Sequence, residues 1–244
     1  MKKIYALMKR EIKAYYSSPL AYSIIFIFLV LSSIWFYRLL YLHVSSQNTS
    51  MTESIIAPLA TWMAFILMLI LPLVSMRLLT EERKAGTSEF LLTSPLSTLQ
   101  IVLGKYLGAL SILFIMLVLT FPFPLVLFLK GSPEPGPLFL MYLGVFLSGG
   151  LFLAIGLFTS SLTENQIISA LICFTLIILM WLEDSLRNVG TPFLADILTN
   201  MSILQSLSDF AAGVLDTKNV IYFLSFIVFF LFLTQRVIDS SKWR

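Results

Sequence analysis

The chain has 244 residues, 58% of them hydrophobic and 12% charged, with a mean hydropathy of +0.93 and a formal net charge of +3. Soluble domains sit nearer half apolar and a quarter charged, so this balance argues against a soluble core. Cys173 is the only cysteine, which excludes a disulfide-held secreted scaffold.

Six windows of seventeen residues or more lack Asp, Glu, Lys and Arg: 14–37, 54–76, 106–129, 135–163, 165–182 and 219–235. A spanning helix needs about 20 mainly apolar residues. The windows therefore predict an all-α polytopic membrane protein with six spans, at 20–42, 57–79, 98–129, 137–162, 166–183 and 218–238. The two shortest windows lengthen if an end charge snorkels to the interface. Lys and Arg sort unevenly between the two sides. Lys2, Lys3, Lys9, Arg10, Lys13, Arg77, Arg83, Lys84, Lys105, Arg236, Lys242 and Arg244 fall on one side, and only Arg38, Lys130, Arg187 and Lys218 on the other. The positive-inside rule then puts both termini in the cytoplasm, and an even number of spans agrees with that placement.

Residues 1–18 precede the first span, and no cleavable signal peptide is evident. Ile4, Leu7, Ile12 and Tyr15 recur near helical spacing, with Lys2, Lys9, Arg10 and Lys13 largely elsewhere on the wheel. That pattern predicts an interfacial amphipathic helix; a solvated positive anchor predicts the same charges. Ser17, Ser18 and Pro19 turn it into span one. Pro72 bends span two near its cytoplasmic end, and Pro122 with Pro124 breaks or kinks the outer end of span three. Gly131 to Pro137 makes an outer turn, and Glu164, Asn165 and Gln166 a short inner one. Trp181, Glu183 and Asp184 mark an interfacial edge after span five. Residues 191–217 are too polar to span, yet Ile203, Leu204, Leu207, Phe210, Ala211 and Val214 form an apolar stripe. Short outer helices dipping into the outer leaflet would bury it; an amphipathic helix on the outer surface would not. Asp216 or Thr217 caps span six. The whole chain, 1–244, reads as one membrane domain.

Chemistry is sparse. His43 is the only histidine and sits at a loop edge, so no Ser/His/Asp set assembles, and scattered Met residues suit core filling. Charges near the spans fall at their ends, whereas ion-coupled transporters keep them near the midplane. Leu147-Ser148-Gly149-Gly150 imitates the signature of ABC ATPases but lies within a span, and Gly104-Lys105 lacks the first glycine of a phosphate loop. No catalytic, metal or nucleotide site is legible. Gly104 with Gly108, Gly150 with Ala154, and Gly156 with Ser160 have the small-xxx-small spacing of close helix contacts.

The connection 80–97 is dense in charge: Thr80-Glu81-Glu82-Arg83-Lys84-Ala85-Gly86-Thr87-Ser88-Glu89-Phe90-Leu91-Leu92-Thr93-Ser94-Pro95-Leu96-Ser97. Gly86 stops the helix of span two. Thr87 caps a short helix with Glu89 near its positive end. Phe90, Leu91 and Leu92 give it an apolar face, and Pro95 ends it. Ser97 and Gln100 form a capping box for span three. This is a docking peg for a partner's groove, or a turn packed on the membrane surface.

The run from Glu82 to Pro95 resembles the E-x-[KR]-x-G-T-x-E-x-L-L-x-[ST]-P pattern of ABC-2-type permeases. Glu11 to Tyr16, Ser18 to Tyr22, Val102 to Tyr106, Ser161 to Gln166 and Tyr222 to Ser225 are similar to the gliding-motility-type branch, which nitrous-oxide-reductase maturation permeases also resemble. The resemblance implies a multi-pass permease of the bacterial inner membrane with a cytoplasmic coupling helix, paired with a second permease subunit and seated on a cytoplasmic ABC ATPase. ATP and Mg would then belong to that partner, with no cofactor in this chain. It places re-entrant outer helices between spans five and six, and a membrane protein with a large extracytoplasmic domain often accompanies this branch. Carried onto this sequence, ATPase coupling falls on Glu82, Arg83, Gly86, Thr87, Glu89, Leu91, Leu92 and Pro95. The complex would use ATP for export or for mechanical work; a mechanotransmission or scaffold subunit without cargo, and a self-powered transporter, are the alternatives.

Overall fold

Helices make up all the regular structure among the residues that the computed structural model describes, which are 2–46, 50–84, 86, 97–182 and 202–241. In chain order they are α1 (Lys2–Tyr16), α2 (Pro19–Ser46), a π-helix (Thr52–Ile56), α3 (Ala57–Ser75), α4 (Arg77–Lys84), α5 (Thr98–Leu119), α6 (Pro122–Lys130), α7 (Pro135–Leu162), α8 (Gln166–Trp181), α9 (Ile203–Ala211) and α10 (Thr217–Ser241). Five stretches are long and apolar enough to cross a membrane: Pro19–Ser45, Thr52–Lys84, Thr98–Lys130, Pro135–Leu162 and Thr217–Ser240. They overlie predicted spans one, two, three, four and six. The predicted fifth span corresponds to α8, which has 16 residues. At 1.5 Å per residue that is about 24 Å, short of a ~30 Å hydrocarbon core. Among the described residues, five helices are thus long and apolar enough to cross and α8 is a shorter apolar helix, and the end of the predicted span at 183 lies outside the described residues.

Two of the long stretches are broken helices, one after Pro72 and one at Pro122. Pro72 cannot donate to the carbonyl four residues back. α3 nevertheless runs on through Pro72 to Ser75, and Met76, whose amide still bonds the Pro72 carbonyl at 2.9 Å, links it to α4. α5 stops at Leu119, and the turn Thr120–Phe121 leads into Pro122 of α6. The Thr120 hydroxyl bonds the Leu117 carbonyl at 2.7 Å and the Tyr142 hydroxyl at 3.1 Å, so the broken turn is satisfied internally. Polar caps do the rest: Asn165 Oδ1 accepts from the Ile167 amide at 2.9 Å, and Asp216 Oδ1 from the Lys218 amide at 2.9 Å.

α7 is the axis of the bundle. Of its spanning window 72% is buried, against 33% for the window of α2 and 28% for that of α10, which form the edges. Lipid gives two apolar helices little reason to associate, so close packing has to come from small residues. Four glycines of α7 each receive a different neighbour: Gly144 meets Phe210 of α9, Gly149 meets Leu113 of α5, Gly150 meets Tyr106 of α5 and Ile227 of α10, and Gly156 meets Ser75 of α3. The Leu147–Gly150 tetrapeptide is therefore a buried helix contact, with Ser148 fully buried and its hydroxyl bonded to the Val145 carbonyl at 3.0 Å.

The apolar stripe beyond residue 202 packs inward. Ile203, Leu207, Phe210 and Ala211 of α9 are buried, against α7 and α3, while Val214 is exposed. Gly213 ends α9 at φ +85°, with its amide bonded to the Phe210 carbonyl at 3.0 Å. An outer-surface helix would leave this stripe uncovered. The expected companion helix, from 191, lies outside the described residues. Near the same end of the bundle Trp35 stacks on Trp62 with ring centroids 4.3 Å apart, and Trp62 on Phe65 at 5.6 Å. The Arg38 guanidinium lies 4.9 Å from the centroid of the Trp35 ring, a cation–π contact.

Candidate functional site

Both legs of the charged connection are described. The first is α4, where Arg77 and Glu81 pair at 3.5 Å one turn apart. It ends at Lys84. Gly86 follows at φ +68°, the left-handed conformation that glycine adopts without cost, and its amide bonds the Arg83 carbonyl at 3.1 Å. The second leg starts with Ser97, whose Oγ accepts from the Gln100 amide while the Gln100 side chain accepts from the Ser97 amide. This is the capping box expected from sequence. Thr98 Oγ1 then donates to Asp239 Oδ1 at 2.6 Å, tying the second leg to the end of α10. Of the eight residues on which coupling is expected, Glu82, Arg83 and Gly86 are described. Thr87, Glu89, Leu91, Leu92 and Pro95 lie outside the described residues.

Glu82 does not point away from the bundle. Its Oε1 lies 3.0 Å from Lys105 Nζ and 2.9 Å from an Arg10 guanidinium nitrogen. Glu11 Oε1 receives the same two cations, Lys105 at 3.3 Å and Arg10 at 2.9 Å. Two acids and two bases thus close a ring across three helices: α1 supplies Arg10 and Glu11, α4 supplies Glu82, and α5 supplies Lys105. Side-chain exposure is 2% for Lys105, 11% for Glu11 and 19% for Glu82, against 55% for Arg10. The contacts of Arg10 are therefore screened and weak, and the buried Lys105 with its two carboxylates carries the electrostatics of the ring. A buried ammonium is tolerated only when it is paired, and here each of its partners arrives from a different helix.

Packing brings α1 into reach. A Cβ on Gly104 would stand 2.7 Å from the Leu7 side chain, and one on Gly108 would stand 2.7 Å from Glu11 Cβ. The small-xxx-small spacing of α5 is thus a groove, and α1 fills it. Tyr15 adds a further link by donating to the Val74 carbonyl of α3 at 3.3 Å. Burial, and then the charges of Glu11 and Glu81, hold the Tyr15 phenol protonated well above its ordinary pKa, with Arg77 pulling weakly the other way. A cavity of about 470 Å³ opens between these helices, lined by Tyr15, Arg77, Glu81 and all four members of the ring.

Counted singly, Lys105 reads as a charge flanking the loop, yet it is buried seven residues into α5. The legible signal was Glu11, which stands beside Ile4, Leu7 and Tyr15 on the apolar stripe that Ile12 completes. A carboxylate on the buried face of a helix implies a buried cation, and Lys105 sits between the two groove glycines. His43 is half-buried, with Nδ1 2.7 Å from Ser54 Oγ, and ties α2 to the π-helix. Elsewhere a groove of about 410 Å³ is walled by Phe114, Phe121, Phe128, Phe139 and Phe146. The Tyr142 hydroxyl there is engaged by Thr120, so the groove can seat hydrocarbon but offers little to select a polar molecule.

The arrangement is that of a membrane bundle whose charged chemistry gathers at the base of one loop. No curated protein matches the chain. The ABC-2 type transporter family matches residues 2–182, a stretch that contains α1, both legs of the loop and the central helix, and the chain belongs to that family.

Proposed function

We propose that this permease subunit of an ABC transporter receives mechanical work from a cytoplasmic ATPase through the segment 80–97, and that both chain termini lie on that side. The observation that supports this most directly is the ring at the base of the segment. A loop used only as a turn has no need to have its legs fastened by a buried Lys105 to Glu82 and to a third helix. A peg that is pushed must be stiff at its root, and here the charges meet the membrane-embedded bundle at that root. The family generally works with a cytoplasmic ABC ATPase, and the match covers these residues. In this reading Arg83 and Glu89 orient the peg, Leu91 and Leu92 fill the partner's groove, and Gly86 and Pro95 set its limits with Thr87 as the cap. ATP and Mg are handled by the partner. Two permease subunits, identical or related, flank the path, and the work done is export or force on an extracytoplasmic partner. The gliding-motility-type assignment rests on the sequence stretches that resemble that branch.

Charge placement at the peg gives the test. Arg83→Glu together with Glu89→Arg should lower copurification of the ATPase with the permease by at least about tenfold, since truncating or misplacing hydrogen-bonded charges at an interface costs about 2–5 kcal/mol. The thermal midpoint of the isolated permease should stay unchanged. Undiminished copurification and ATPase stimulation would remove those two residues from the proposed contact.

A further inference from the structure

The ring has a mechanical consequence that deepens the proposed function and rests on it. α4 and α5 are the two legs of the segment on which the ATPase would act, and Lys105 and Glu82 join them to each other. α1 is not part of that segment. It is nevertheless bound to both legs, through Glu11 to Lys105 and through Arg10 to Glu82. It also lies in the Gly104–Gly108 groove of α5, where Leu7 and Glu11 approach too closely to slide past a side chain. If the legs move, either α1 moves with them or a buried ammonium loses a carboxylate.

What α1 would carry onward is equally visible. Only Ser17 and Ser18 separate it from α2, and hydrogen bonds brace this elbow. The Ser17 amide and hydroxyl both bond the Lys13 carbonyl, at 3.0 and 2.8 Å, and the Ser18 amide bonds the Tyr15 carbonyl at 3.0 Å. The Tyr22 hydroxyl returns to the Tyr16 carbonyl at 2.9 Å. A braced two-residue elbow transmits torque where a longer loop would absorb it. α2 lies at the edge of the bundle, with a smaller share of its window buried than in α3, α5 or α7.

We propose that Arg10, Glu11, Glu82 and Lys105 act as one joint, in which Glu11 and Arg10 are positioning residues that make α1 follow the legs of the loop and turn the first span. In this role Glu82 serves the joint from inside the bundle while Arg83 and the residues beyond Gly86 meet the partner.

The discriminating variant is Arg10→Gln/Glu11→Gln. It removes one charge of each sign, leaves net charge unchanged, and spares the Lys105–Glu82 pair. In the first arm the permease alone is placed in nanodiscs and followed by hydrogen exchange. The variant should speed exchange of the α1 amides by at least about tenfold while those of α7 keep native protection. Native protection in α1 would show that the ring does not hold it. In the second arm the permease is purified with its ATPase in a Cys173→Ser background, and a fluorophore is attached at Lys9→Cys, an exposed position of α1. MgATP should shift the probe in the otherwise native complex. In Arg10→Gln/Glu11→Gln most of that shift should vanish although ATP hydrolysis continues, and in Glu134→Gln, a charge loss at an exposed position far from the ring, it should persist. A full shift in the double variant overturns the joint. Absence of any ATPase in the purified complex would instead overturn the proposed function, and the first arm would still decide whether the ring fastens α1.

Discussion

Replacing Lys105 by Met is expected to destabilise the protein by about 3–5 kcal/mol, because removing one partner of a buried ion pair leaves the others uncompensated. Lys105 is 2% exposed and its ammonium is shared by Glu11 and Glu82, so two carboxylates lose their common cation at once. Arg10 cannot replace it, since more than half of that side chain is in solvent and its pairing is screened. Against a typical total of 5–15 kcal/mol, the loss should appear as a lower thermal midpoint and a smaller folded yield in detergent. Replacing the pair tells more than replacing the single residue. Glu11→Met/Lys105→Met removes the buried acid with the buried base and should recover most of the loss, leaving Arg10 with Glu82 at the exposed rim. A coupling energy of roughly 1–3 kcal/mol between the two positions would match residues that share one network. Additive effects would mean that Lys105 is held by packing and not by its charge partners.

The second large effect is expected at Gly156. An added Cβ would stand 1.8 Å from Ser75 Oγ and 2.3 Å from Ser75 Cβ. Ser75 Cβ is fixed to the backbone of α3 and cannot rotate away, so the two helices must separate. Gly156→Ala should therefore cost about 1–3 kcal/mol, even though alanine gains up to ~1 kcal/mol over glycine within a helix. Gly136, also in α7, has no atom within 4 Å of its would-be Cβ. Gly136→Ala should be neutral or slightly stabilising. The contrast in thermal midpoint between these two variants isolates helix approach from helix propensity. Equal midpoints would contradict the close α3–α7 contact.

These two sites also show what a sequence can and cannot disclose here. Charge-free windows reveal spans because a charge in hydrocarbon is expensive wherever it sits, and that rule acts on one residue at a time. The break at Pro122, the Ser97–Gln100 capping box and the Asp216 cap are equally local, and each stands in the structure where it was expected. Glycine spacing is half legible. Gly104 and Gly108 announce that something approaches, but nothing in a spacing names α1 as the occupant. The ring was missed for the same reason. Lys105, Glu82 and Glu11 look like three separate end charges until the fold brings them together, and only the position of Glu11 on an apolar stripe hinted otherwise. α8 marks the limit of the window rule: its described helix ends at Trp181, and the last residue of the predicted span lies outside the described residues.

The account turns on whether the segment between Lys84 and Ser97 meets another polypeptide in the cytoplasm. A photo-crosslinking amino acid placed at Leu91, and separately at Leu92, in the native membrane tests this directly. The predicted result is one dominant adduct with an ABC ATPase, altered by MgATP, and no labelling of a cysteine at either position by a membrane-impermeant reagent applied from outside. Adducts with lipid alone, or labelling from the extracytoplasmic face, would contradict it.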